Sequence, residues 1–306
     1  MNQILGQSPQ ITHLLRTIPI IAASDASVLI YGETGTGKEL MANAFHQESG
    51  RRDKPFVTID CAALLLEGID EDLFGHCNAD GDIEHRGKLL AAEGGTVFLD
   101  EINALPLSVQ AKVLRFIEAG ECQLKGSHKL HKVDTRTVTA SSIDLQQAVS
   151  NGDFRADLFY RLQVVPITLP PLRERSSDIK ILLQHFGREF AGTNAVVRYA
   201  KEAEHCLQTY AWPGNIRELM NFCQRMALLN PGKVLQIEDL PIEMLPESAA
   251  NDHVFNLPST GIKLAQVELD LIQQALEMAA GNRSRAARLL GISRDTLLYR
   301  MQKYDL

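Results

Sequence analysis

No apolar run in this chain reaches membrane-spanning length; the best candidate, Ile18 to Tyr31, is broken by Asp25. The first residues, Met1-Asn2-Gln3, lack the cationic start and apolar core of an export signal. Cysteine is scarce. The five thiols, Cys61, Cys77, Cys122, Cys206 and Cys223, are odd in number and widely scattered, which excludes a disulfide framework or a regular zinc site and points to reduced cytoplasmic thiols. Net positive charge is lacking too: at -7 overall, the molecule as a whole is unsuited to indiscriminate nucleic-acid binding. What remains is ordinary globular composition, 45% hydrophobic and 23% charged over 306 residues. That length accommodates a full α/β domain and one or two smaller ones.

Within this background one segment stands out. Val28-Leu29-Ile30-Tyr31 is a buried-strand run that breaks into Gly32-Glu33-Thr34-Gly35-Thr36-Gly37-Lys38 and then a helical stretch from Glu39. Glycines at this spacing let successive N–H groups point at one anion, the helix N-terminus adds positive potential, and Lys38 supplies a full charge. The spacing alone arises by chance in roughly one chain in ten of this length, so its context decides. A second strand, Gly94 to Leu99, ends in Asp100 and Glu101, where a phosphate-bound magnesium would sit. Together these predict an ATP site with Mg2+ on Asp100. Glu39 occupies the place where a Ser or Thr hydroxyl commonly meets the metal, which leaves more of that duty to Asp100.

Apolar runs at Ser27–Tyr31, Phe56–Ile59, Thr96–Leu99, Thr135–Thr139 and Val164–Leu169 alternate with helical periodicity, which predicts a largely parallel sheet covered on both faces. The predicted division is an α/β nucleotide-binding part at 1–171, a helical lid at 172–245, a linker at 246–261 and a small DNA-binding domain at 262–306. The last of these rests on charge and turn chemistry. Residues 281–306 hold Arg283, Arg285, Arg288, Arg294, Arg300 and Lys303 against Asp295 and Asp305, a basic module on an acidic body. Two short helices joined at Gly291-Ile292, the second opened by Ser293 and carrying Arg294, Thr296, Tyr299 and Arg300, suit a helix-turn-helix in a DNA major groove. The alternative is a solvated basic helical hairpin.

The chain resembles the NtrC-like AAA+ bacterial enhancer-binding proteins, which activate sigma-54 RNA polymerase. The resemblance runs through Gly32 to Glu39, Cys61-Ala62-Ala63-Leu64, Leu73-Phe74-Gly75-His76, Gly94 to Ile102, Phe154 to Leu158, Tyr160-Arg161-Leu162, Pro170 to Arg175 and Trp212 to Leu219. The tail is similar to the Fis-type DNA-binding domain of the same family, and Glu39 matches the residue common there. The resemblance implies an AAA+ P-loop NTPase fold, Lys38 on the β and γ phosphates, Asp100 on magnesium and Glu101 orienting the attacking water. It further implies Arg155 and Arg161 reaching a neighbouring subunit's nucleotide, Arg217 as a sensor arginine from the lid, and a homo-oligomer up to a hexameric ring.

Three departures from the family pattern qualify this. Where the family carries the polymerase-contacting motif Gly-Ala-Phe-Thr-Gly-Ala, this chain has Cys77-Asn78-Ala79-Asp80-Gly81-Asp82-Ile83-Glu84-His85-Arg86, shorter, acidic and without an aromatic. Ser142 stands in place of the usual sensor Asn, and Asp60 in place of the Asn that partners the catalytic glutamate; Asp60 near Glu101 would set like charges together. The expectation is an ATP-binding, DNA-binding regulator with RNA polymerase as a partner that does not open sigma-54 promoters. The rival expectation is a working ATPase that remodels its partner through a divergent loop.

Overall fold

The computed structural model describes residues 4–65, 67–78, 82–127, 129–193, 195–245, 261, 263–279 and 281–304. It divides into two compact units, Met1–Pro246 and Glu247–Leu306. In the first, five strands form one parallel sheet: β1 (Val28–Tyr31), β2 (Phe56–Asp60), β3 (Thr96–Asp100), β4 (Arg136–Ser141) and β5 (Val165–Thr168), in the order β2-β3-β4-β1-β5. Strands β1, β3 and β4 are almost wholly buried, as parallel strands with both faces covered must be. Side chains alternate between two cores: Val28 and Ile30 pack with Phe45, Phe98 and Val138 on one face, while Leu29 packs with Val97, Leu99 and Phe116 on the other. In-register pairing brings Tyr31 beside Ser141 and Thr168, and Asp60 beside Asp100, so the carboxyl ends of the strands share one edge. The chain leaves β1 for the far edge strand β2, opening the kind of crevice where α/β sheets bind ligands.

Helix α1 (Pro9–Ala22) precedes β1, and α2 (Lys38–Gln47) follows it with buried Met41, Ala42 and Phe45 facing the sheet. Helix α3 (Leu107–Ala119) follows β3, and α4 (Ala156–Leu162) lies just before β5. Beyond the sheet, α5 (Ser176–Ala191), α6 (Lys201–Thr209) and α7 (Asn215–Leu229) close over a separate core of Ile179, Leu182, Phe186, Trp212 and Phe222. Periodicity suggested that strands cease here; instead Arg198–Tyr199 pairs in parallel with Val234–Leu235. Two residues a side is too short a segment to impose alternation. The linker expected at 246–261 lies, except for Gly261, outside the described residues.

In the second unit, α8 (Leu264–Met278), α9 (Arg283–Leu289) and α10 (Arg294–Lys303) enclose Ile272, Ala275, Ala286, Ala287, Leu297 and Met301. Gly281 and Gly291 take left-handed angles, φ +80° and +65°, at the two turns.

The helical subdomain is tied to the start of the chain by one buried carboxylate. Asp178, on the first turn of α5, accepts hydrogen bonds from the Gln7 N–H at 2.7 Å, the Ser8 N–H at 2.8 Å and the Ser8 hydroxyl at 2.7 Å. Asp178→Ala strands the two buried donors of Ser8 and the part-buried Gln7 N–H, and is predicted to destabilise the first unit by about 3 kcal/mol, with Asp178→Asn costing less. Denaturant unfolding followed by tryptophan fluorescence reads both.

Candidate nucleotide and DNA sites

At the carboxyl end of β1 the backbone turns through Gly35 (φ +82°) and Gly37 (φ +102°), conformations glycine adopts without steric cost. Gly37 stands at the N-terminus of α2, where no side chain caps the helix, so the first-turn amides retain their positive potential. Lys38 bends back beneath the loop. Its Nζ donates to the Gly32 carbonyl at 3.0 Å and to Glu101 Oε1 at 2.9 Å, and the side chain is only 6% exposed.

Glu101 follows β3 with left-handed angles, φ 50° and ψ 51°. Its second oxygen accepts the Ser142 hydroxyl at 2.6 Å and the Ser142 N–H at 3.1 Å. Burial pulls the Glu101 carboxyl upward, but the bonds from Ser142 and Lys38 and the Lys38 charge outweigh it and hold the group below the ordinary glutamate range. Burial instead raises Asp100, with Lys38 opposing the rise and Glu101 and Asp60 adding to it. The like-charge effect expected of Asp60 at Glu101 therefore falls on Asp100. Asp60 caps its own turn, accepting from the Ala62 and Ala63 N–H groups at 3.0 and 3.3 Å.

The helical subdomain approaches the loop from outside. Arg173 makes a bidentate bond to Glu33 at 2.9 and 2.6 Å, and Arg175 donates to the Thr36 carbonyl at 3.1 Å. Arg217 meets the loop through its backbone, 3.4 Å from the Gly35 carbonyl, while its side chain is exposed and lines a 440 Å³ recess with Thr34, Glu218 and Arg225. Glu39 is exposed on the first turn of α2. Beside Thr36 and Gly37 opens a mainly apolar cavity of 380 Å³, walled by Ile4, Leu5, Ile11, Leu182, Phe186 and Ile216. Sequence reasoning missed Arg173, Arg175 and Asn215 as neighbours of the loop; the segments Pro170 to Arg175 and Trp212 to Leu219 carried the local signal, without showing what they touch.

Arg155 and Arg161 are not drawn into this cluster. Arg155 bonds to Asp157 at 3.0 and 2.7 Å, and Arg161 reaches the Ile117 carbonyl at 3.5 Å. Both are exposed on α4 or its cap, next to Tyr160, which is 73% exposed. His76–Cys77 pairs with Ile83–His85 in a short antiparallel ribbon, and the Asn78 N–H donates to the Asp82 carbonyl at 2.9 Å. Ala79, Asp80 and Gly81 at its tip lie outside the described residues.

In the second unit Asn282 caps α9, accepting from the Ser284 and Arg285 N–H groups at 3.1 Å each, and Ser293 caps α10, accepting from the Thr296 N–H at 3.1 Å. Arg283, Arg294 and Tyr299 are exposed and Thr296 is half-buried. Arg300 departs from expectation. It pairs with Glu268 of α8, which also accepts the Tyr304 hydroxyl at 2.6 Å, so part of its charge is satisfied internally.

The Arg173 guanidinium and the Asn215 amide hold the Glu33 carboxyl at about 2, against an ordinary 4.5. Because the folded value is depressed, this pairing stabilises the molecule above about pH 4.5 and is lost as pH falls toward 2. Carboxyl-carbon NMR is predicted to give that low midpoint for Glu33, and Arg173→Ala should return it toward 4.5.

Comparison with known proteins matches the architecture piece by piece. Residues 4–168 fit the sigma-54 interaction domain, 173–255 the AAA+ ATPase lid domain and 263–304 the bacterial regulatory protein Fis family. The transcriptional regulatory protein ZraR of Salmonella typhimurium is 41% identical over 305 residues, spanning 98% of this chain and 68% of that protein. Regulatory protein AtoC of Escherichia coli is 40% identical over 314 residues, spanning 100% and 68%. The crystal structure of NtrX from Brucella abortus in complex with ATP superposes with a TM-score of 0.75 at 30% identity, covering 100% of this chain and 70% of that one. With an AAA+ α/β P-loop domain, a helical lid and a C-terminal Fis-type helix-turn-helix in this order, the chain belongs to the sigma-54 interaction domain family of enhancer-binding proteins.

Proposed function

We propose that this chain is an ATP-binding, DNA-binding transcriptional regulator that does not open sigma-54 promoters, acting as a repressor or with a sigma-70-type polymerase. The observation that carries the nucleotide half is the buried Lys38 charge aimed beneath a glycine loop and in contact with Glu101. An uncapped helix N-terminus, two left-handed glycines and a neighbouring apolar cavity fit a nucleoside triphosphate, phosphates on the loop and base in the cavity. Asp100 would hold Mg2+, which when bound neutralises phosphate charge.

The residues of the chain then divide the work. Lys38 meets the β and γ phosphates. Glu101, kept ionised by its partners, orients the attacking water, while Ser142 fixes one of its oxygens with two donors. Arg155, Arg161 and the lid's Arg217 supply charge from further directions, the first two from the adjoining protomer of a ring, so that turnover depends on assembly. The exposed positions of Arg155 and Arg161, bonded to Asp157 and the Ile117 carbonyl and not to the chain's own loop, support action in trans. Arg283, Ser293, Arg294, Thr296, Tyr299 and Arg300 form the DNA-reading set, with RNA polymerase the downstream partner. The acidic stretch at residues 77–86, in place of Gly-Ala-Phe-Thr-Gly-Ala, supports loss of the sigma-54 contact: its sequence holds no Phe, Tyr or Trp to bury.

A second reading, an ATPase that remodels sigma-54 polymerase or another partner through this divergent ribbon, draws on the same Glu101 geometry, which is fit for hydrolysis.

Phosphate release is predicted to rise more than linearly with protein concentration, and transcription assays with both holoenzymes to give no sigma-54-dependent open complexes. Their appearance would establish the second reading. Lys38→Ala should abolish ATP binding in calorimetry, and unchanged affinity would sink the phosphate-loop assignment. On operator DNA, Arg294→Ala should cost about 1–3 kcal/mol and Arg300→Ala less, since Glu268 already holds that guanidinium; gel-shift titration measures both.

A further inference from the structure

Asn215 is fully buried, yet it is the first residue of α7 and takes φ +53°, a left-handed angle that only glycine, asparagine and aspartate adopt readily. Every polar atom of its side chain is used. Its Nδ2 donates to Glu33 Oε2 and to the Thr34 carbonyl, both at 3.1 Å, and its Oδ1 accepts the Leu172 N–H at 2.8 Å. The adjoining backbone continues the contact: the Ile216 N–H donates to the Gly35 carbonyl at 2.9 Å. A Cβ on Gly35 would lie 2.4 Å from the Gly214 carbonyl, so the two segments are in closest possible approach. One amide thus joins three pieces of chain: the phosphate loop at Glu33 and Thr34, the entry to the lid at Leu172, and the start of α7.

The consequence for the loop is directional. An anion cradle works only while its peptide planes turn their N–H groups inward, which requires the carbonyls to face outward and be satisfied there. The Thr34, Gly35 and Thr36 carbonyls are taken up by Asn215, Ile216 and Arg175, all from the lid. We propose that Asn215 is a positioning residue for nucleotide binding: it anchors Glu33 and the Thr34 carbonyl so that the loop is preformed for phosphates, and it makes the seat of the lid and the shape of the loop a single variable. This rests on the ATP reading of the site.

The full chain serves for the test, with fluorescent ATP and magnesium as probe. Aspartate and glycine both tolerate the backbone angle at this position, so Asn215→Asp and Asn215→Gly remove the amide without forcing the turn. Each is expected to weaken ATP binding by about tenfold or more, the loss of hydrogen bonds to a charged partner. The decisive arm is Glu33→Gln. In the native background it breaks the charge pair with Arg173 and weakens binding. In Asn215→Asp it removes carboxylate repulsion and lets the new amide donate to the aspartate, so binding strengthens. That reversal of sign belongs to a direct pairing and not to general loss of structure. Native affinity in both position-215 variants, or a Glu33→Gln effect of the same sign in both backgrounds, overturns the inference. Failure of the unaltered chain to bind ATP overturns the ATP reading itself, and melting without nucleotide confirms that each variant is folded; if Asn215→Asp is not, Asn215→Gly decides through its affinity alone.

Discussion

Lys38 carries a full charge at a position only 6% exposed, and a buried ammonium is tolerable only when an opposite charge and hydrogen-bond acceptors surround it. Glu101 and the Gly32 carbonyl meet that need. For them to be in place, β1 must end at the loop, β3 must end two strands away at the same height, and the residue after β3 must bend the Glu101 side chain back toward α2. The parallel sheet provides the first two conditions through its register. Ser142, at the end of β4 between them, provides the third by holding the other oxygen of Glu101. The order of the strands and the chemistry of the site are therefore one arrangement seen at two scales.

Where the chain announces its structure, local rules suffice. The sheet was legible because its strands are continuous apolar runs between turn signals, and the loop because its glycine spacing and lysine sit between a buried strand and a helix, with a second strand ending in two carboxylates. The Ser293 cap on α10 likewise depends on atoms three residues apart. Asn215 was not legible: its partner Glu33 lies 182 positions away, and no periodicity or composition links them. The same holds for Asp178, which meets Ser8 across 170 positions, and for Arg300, whose expected freedom on α10 is curtailed by an acid on α8. Sequence pattern reports the character of an element; which distant group competes for its side chains is decided only by packing.

The departures at Asp60 and Ser142 illustrate how one position can absorb what another gives up. Asp60 turns its carboxylate onto its own backbone, away from the role of holding Glu101. Ser142, short as it is, reaches Glu101 with both its hydroxyl and its amide, because the end of β4 lies close enough for a small side chain to serve. The charge of Asp60 is felt at Asp100 instead, where burial has already raised the carboxyl. The two neighbouring acids are thus pushed in opposite directions, Glu101 down by Ser142 and Lys38 and Asp100 up by burial.

Among the described residues only three other than glycine hold left-handed angles: Glu101, Trp212 and Asn215. For Glu101 and Trp212 this departs from intrinsic preference at a cost of order 1–3 kcal/mol, while asparagine tolerates the angle at Asn215; such departures survive only where neighbours over-determine them. All three border the loop or the turn that grips it. The catalogue of local discomfort in this backbone is therefore also a chart of its working parts, drawn before any ligand arrives. Glu101 lies at the end of the sheet, and Trp212 and Asn215 lie in the turn that meets the loop, so the unusual backbone angles fall on both sides of Lys38.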